Sequence, residues 1–115
     1  QKQLIRELLK KARSVPKAAE ADVILTNPTH YAVALKYDPN SMRAPVILTK
    51  GTGFMAARIR EIATRHNVPI MRSPTLARAL YREVEIDHPV PELLYAQLAP
   101  VYRWLFSRKR KQVAA

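Results

Sequence analysis

Two strand-forming runs held only four residues apart constrain this chain more than any other feature. Asp22 to Thr26 is a β-branched apolar run, and Tyr31, Val33, Leu35 and Tyr37 alternate with smaller or polar residues. Between them stand Asn27, Pro28, Thr29 and His30. So short a connection, led by Asn-Pro, predicts an antiparallel hairpin with a tight loop.

The rest of the chain alternates strand and helix signals. Leu4, Ile5, Leu8, Leu9 and Ala12 recur at helical spacing among lysines and arginines, predicting an amphipathic helix that Pro16 should end. Asp38 to Ser41 is turn chemistry, and Val46 to Thr49 reads as a third strand running into a bend at Gly51-Thr52-Gly53. Met55, Ile59, Ile62 and Ala63 mark a helix ending near Asn67, and Val68 to Met71 reads as a short strand. Ser73 and Pro74 form a cap and first-turn pair for a helix containing Leu76, Leu80 and Tyr81, followed by a brief extended piece, Val84 to Ile86. Pro91-Glu92 should open a last helix with Leu94, Leu98, Val101 and Leu105 on one stripe, kinked where Pro100 removes an internal hydrogen bond, with a basic tail beyond it. The expected fold is α/β (α+β): a small central sheet of four or five strands surrounded by helices.

Composition narrows the function classes. At 115 residues the chain can bury one modest core. No apolar run approaches the roughly 18 residues that span a bilayer. The chain contains no cysteine, so thiolate catalysis, disulfides and cysteine-ligated zinc are excluded, and three scattered histidines make no metal-ligand cluster. No metal or cofactor is expected. The formal charge of +11 sits almost wholly in the ends: residues 1–17 carry six basic side chains against Glu7, and residues 103–111 carry five against none. Between them the body is nearly balanced, so the flanks point to solvated charge, anionic lipid headgroups or a phosphate backbone, not to a basic face on the folded part.

Asn27-Pro28 carries the chemistry. An asparagine ordinarily degrades when the next backbone nitrogen attacks its side-chain carbonyl, and Pro28 has no N–H with which to do so readily. The competing attack stays open: the Asn27 side-chain nitrogen closes on the Asn27 backbone carbonyl, forms a succinimide and expels the Pro28 nitrogen. The carboxamide is a poor nucleophile, so the fold must supply geometry. The residue before proline is already excluded from the α region, and a loop pinned by two strands narrows it further. A proton acceptor is also needed, and His30, with an ordinary pKa near ~6.5, is the candidate base. Thr29 either orients the loop through its hydroxyl or favours extended backbone.

The run Ala21-Asp22-Val23-Ile24-Leu25-Thr26-Asn27-Pro28-Thr29-His30-Tyr31-Ala32-Val33-Ala34-Leu35-Lys36-Tyr37 resembles the cleavage region of the FlhB/YscU family. Ala44-Pro45-Val46-Ile47-Leu48-Thr49-Lys50-Gly51, Arg58-Ile59-Arg60-Glu61-Ile62-Ala63, Asn67-Val68-Pro69-Ile70 and Leu76-Ala77-Arg78-Ala79-Leu80-Tyr81 are similar to its other signature blocks, in order. Ser73-Pro74 stands where that family commonly has a Pro-Pro pair. The resemblance implies a bacterial inner-membrane protein of the type III export apparatus whose membrane-embedded half precedes this chain. Residues 1–19 would then be the basic linker helix leaving the membrane, 20–107 a self-cleaving domain facing the cytoplasm, and 108–115 a basic tail. It implies cleavage at Asn27-Pro28, two fragments that stay associated, and a part in switching export from early to late substrates. The implied partners are export substrates of the early hook or rod type, a ruler protein and the export gate. Lys36-Tyr37-Asp38, Ala44-Pro45 and Arg58-Ile59-Arg60-Glu61-Ile62 fit the flagellar branch, whereas Asp87-His88 is closer to some injectisome members.

If substrates dock on this domain, an apolar patch of Ala44, Pro45, Ala99 and Tyr102 is the candidate receptor; the alternative is that the first two shape a turn and the last two fill the core. Leu80, Tyr81, Leu94 and Leu98 read as core, and Arg58, Arg60 and Arg78 as a solvated face. A nucleic-acid module lacks a recognition-helix pattern, aromatic residues interleaved with basic ones and a basic body. A turnover enzyme is weaker still, because self-cleavage is a single event that consumes its own nucleophile.

Overall fold

The computed structural model describes residues 1–28 and 30–114. Helix α1 (Lys2–Ser14) is followed by a 3-10 segment (Val15–Glu20), then β1 (Val23–Asn27), β2 (Tyr31–Lys36), β3 (Val46–Thr52), α2 (Gly53–Arg65), β4 (Ile70–Arg72), α3 (Pro74–Glu83), a second 3-10 segment (Glu92–Leu94) and α4 (Tyr95–Ala114). One four-stranded sheet runs in the order β3-β2-β1-β4. The hairpin expected from residues 22–37 forms, with Val23 opposite Leu35 and Asn27 opposite Tyr31.

Strand β1 is central, pairing antiparallel with β2 and parallel with β4. Its side chains from Val23 to Thr26 are all buried, because both sheet faces are covered. Period-two alternation sorts them. Val23, Leu25, Val33, Leu35 and Ile47 face a core completed by α3 and α4, while Ile24, Ala32 and Ala34 face α2 and the Val15–Glu20 segment.

Four sequence expectations are adjusted. β3 runs on through Gly51 to Thr52, and the bend falls at Gly53 with φ +50°. Gly51 is required where it stands, since a Cβ there would lie 2.6 Å from the Met55 Cβ. Val84 is extended but forms no strand with Glu85 and Ile86, because Ile86 and Asp87 turn and Asp87 adopts φ +66°. The last helix starts as a 3-10 turn and becomes α-helical only at Tyr95. That helix holds Pro100 in its interior, where it was expected, and continues through the basic residues 108–111 expected to trail as a tail, good helix formers in sequence with the stripe before them. As expected, α1 stops ahead of Pro16, and Asn67 takes the left-handed conformation after α2 at φ +58°.

Candidate functional site

Asn27 ends β1 and Tyr31 starts β2, so the Asn-Pro-Thr-His loop is a hairpin turn whose stems are a matched pair. The Asn27 backbone carbonyl accepts a hydrogen bond from the His30 backbone N–H at 2.9 Å. Asn27 is half-buried, whereas Pro28 and His30 are exposed. Thr29, also expected to belong to the site, lies outside the described residues. The residue before the turn is fixed as well: the Thr26 carbonyl accepts from the Ser73 N–H at 2.9 Å, where the chain leaves β4 for α3.

Topology adds an electrostatic bias. β1, β3 and β4 all point the same way, so their carboxyl ends share one edge of the sheet with the turn. α2 and α3 both begin at that edge, bringing two positive helix ends to the side where negative charge would develop. The turn can therefore hold the Asn27 carbonyl at a fixed donor, at the distance at which preorganised amides stabilise an oxyanion. His30, expected to act through its imidazole, thus also contributes its backbone N–H, and the i to i+3 spacing of a turn with proline second is the sequence signal for that bond. Among the described residues, no group of three or more histidine, cysteine, aspartate or glutamate side chains could hold a metal ion.

A second candidate lies away from the turn. Pro45, Ala99 and Tyr102 come together in one apolar cleft of about 220 Å³, with Tyr37, Arg43, Tyr95, Leu98 and Phe106. Ala44, expected on the same patch, is instead 5% exposed and lines no part of that cleft. Directly after it the chain pairs with the 86–90 loop: the Val90 N–H donates to the Pro45 carbonyl at 2.8 Å, and Val46 bridges Pro89. Phe106, 55% exposed, and Tyr95, 41% exposed, lie off the stripe of Leu94, Leu98, Val101 and Leu105 from which this helix is read in the sequence.

Tyr102 is the hinge of this surface. Its ring meets Tyr37 edge-on at 5.9 Å and leans towards Phe106 at 6.5 Å. Its hydroxyl donates to the Asp22 carboxylate at 3.4 Å. Burial, and then the Asp22 charge, push the phenol pKa well above the usual tyrosine value. Beyond the Tyr102–Phe106 ridge a second cleft of about 380 Å³ reaches His66, Pro69 and Lys109. Of the three arginines expected on a solvated face, Arg78 is exposed, while Arg58, paired with Glu61 at 3.1 Å, and Arg60 are part-buried.

Comparison with known proteins matches residues 1–105 to a family model described as the FlhB HrpN YscU SpaS family. The flagellar biosynthetic protein FlhB of Salmonella typhimurium is 51% identical over 102 residues, covering 89% of this chain and 27% of that protein. This chain thus spans 27% of the length of such relatives. The crystal structure of the cytoplasmic domain of FlhB from Shewanella putrefaciens superposes with a TM-score of 0.84 at 38% identity, covering 90% of this chain and 80% of that one. The PscU C-terminal domain does so with a TM-score of 0.64 at 36% identity, covering 68% of this chain and 99% of that one.

Proposed function

The chain belongs to the FlhB HrpN YscU SpaS family, and on that premise we propose that it is the switch domain of a bacterial flagellar protein-export apparatus and cuts its own backbone between Asn27 and Pro28. The observation that carries the cleavage reading is the His30 N–H held 2.9 Å from the Asn27 carbonyl inside a turn pinned by paired strands. The Asn27 side-chain nitrogen attacks the Asn27 carbonyl carbon, and the oxyanion gathers charge against that amide. As the tetrahedral centre collapses, the C–N bond to Pro28 breaks. The proton lost by the carboxamide passes through the exposed His30 imidazole or water to the leaving Pro28 nitrogen, which becomes a new N-terminus. Asn27 is left as a C-terminal succinimide that water opens. The event turns over once and needs no cofactor.

The cut does not free the N-terminal piece. Its strand β1 lies between β2 and β4, both of which belong to the other fragment, and its Val23, Ile24 and Leu25 are fully buried. What changes is the freedom of the turn.

The cleft of Pro45, Ala99 and Tyr102 is proposed as the receptor for export substrates of the early hook or rod type, with a ruler protein and the export gate as further partners. The domain would act at the cytoplasmic face of the inner membrane, tethered through α1. The 51% identity to a flagellar biosynthetic protein supports the flagellar branch. Denaturing mass spectrometry of the purified chain tests the cleavage, and a Tyr102→Ala chain that is still cut but no longer captures such substrates tests the receptor.

A further inference from the structure

Lys50 is 6% exposed in the middle of β3, opposite Val33, an uncommon place for an ammonium. Its Nζ donates to the Tyr81 and Val84 carbonyls, both at 2.8 Å. Those are carbonyls at the C-terminal end of α3, where helical partners run out and a cation is favoured. The same nitrogen sits 5.0 Å from the centre of the Tyr81 ring. Burial pushes its pKa below the ordinary lysine value, so the charge is kept there against a desolvation penalty.

The helix it anchors touches both stems of the turn. At the head of α3, the Ser73 N–H holds the Thr26 carbonyl, one residue before Asn27. Near its other end the Tyr81 ring packs on Tyr31, one residue after His30, with centroids 5.0 Å apart. A shift of α3 would move Tyr31 against Asn27, and with it the 2.9 Å bond from the His30 N–H.

We propose that Lys50 is a positioning residue for the cleavage at Asn27-Pro28: its buried ammonium fixes α3 to β3, so that α3 braces the turn from both sides. The inference rests on the cleavage reading above. Sub-ångström errors at a reacting pair are costly in rate, so loss of the brace is expected to show in kinetics before it shows in the fold.

The test uses the full chain made by pulse-labelled cell-free synthesis and followed by denaturing mass spectrometry. Lys50→Met, which keeps the aliphatic stem, is expected to lengthen the cleavage half-time at least about ten-fold. Lys50→Arg, which can donate to both carbonyls, is expected to recover most of the rate. In an Asn27→Ala background, hydrogen exchange at the His30 amide should speed up in Lys50→Met while Ala34, deeper in β2, keeps its protection. Parent-like cleavage of a folded Lys50→Met chain, or unchanged exchange at His30, overturns the proposal. Should Lys50→Met fail to fold, Tyr81→Leu removes the ring against Tyr31 and is held to the same two readouts. A parent chain that stays whole sinks the cleavage reading instead, and exchange at His30 then still decides whether the brace exists.

Discussion

Asn27 and His30 divide the work of the proposed reaction between side chain and backbone. The nucleophile is the Asn27 carboxamide, but the stabilising donor is the His30 N–H, which no substitution other than proline removes. His30→Ala is therefore expected to slow cleavage by about 100-fold, the lower end of the range for general-base catalysis, and not to abolish it. Because the imidazole is exposed, added imidazole should restore much of the rate in a denaturing-gel time course. Tyr102 gives a second prediction at this scale. Its phenol stays protonated in the folded chain to higher pH than in the unfolded one, so the folded state binds more protons above the ordinary tyrosine pKa of about 10. Its contribution is complete below that pH and is lost as pH rises beyond it. Urea midpoints of an Asn27→Ala chain between pH 9 and 11 should fall more steeply than those of the same chain carrying Tyr102→Phe.

At the scale of elements, β1 decides both fold and consequence. Leu25→Ala, at a fully buried site in the central strand, should lower unfolding free energy by about 2–5 kcal/mol in chemical denaturation. The same substitution should weaken retention of the cleaved N-terminal piece. How much of this could be read beforehand follows sequence distance. The β1–β2 hairpin was legible because its pattern and its turn are local, and α2 and α3 announced themselves through periodicity and caps. The parallel pairing of Ile24 with Ile70, which makes β1 central, joins residues far apart and leaves no local mark. Gly51 looked like a bend residue until Met55 showed why a strand needs it. For the candidate sites, the chemistry of Asn27-Pro28 was written in residue types, whereas the patch of Pro45, Ala99 and Tyr102 was expected only on the premise that substrates dock here. The burial of Ala44 was not legible, nor was the donor role of a backbone amide, because backbone groups look alike in every sequence.

The whole molecule is a sheet threaded by a chain that can be cut without being taken apart. Besides β1, the N-terminal piece is tied to the rest by a buried Ser14–Thr49 hydroxyl bond at 2.7 Å, by Lys11 donating to the Tyr81 hydroxyl at 2.9 Å, and by the Asp22 carboxylate accepting the Tyr37 N–H at 2.6 Å. Native chromatography should accordingly carry both pieces in one peak, separating only in denaturant. The most direct test of the account is the intact mass of the purified chain under denaturing conditions, beside Asn27→Ala prepared identically. The account predicts two masses for the parent, for fragments of 27 and 88 residues with Pro28 as a new N-terminus, and one mass for the variant. A single 115-residue species persisting through long incubation near neutral pH, or cutting of the variant at the same bond, would contradict it.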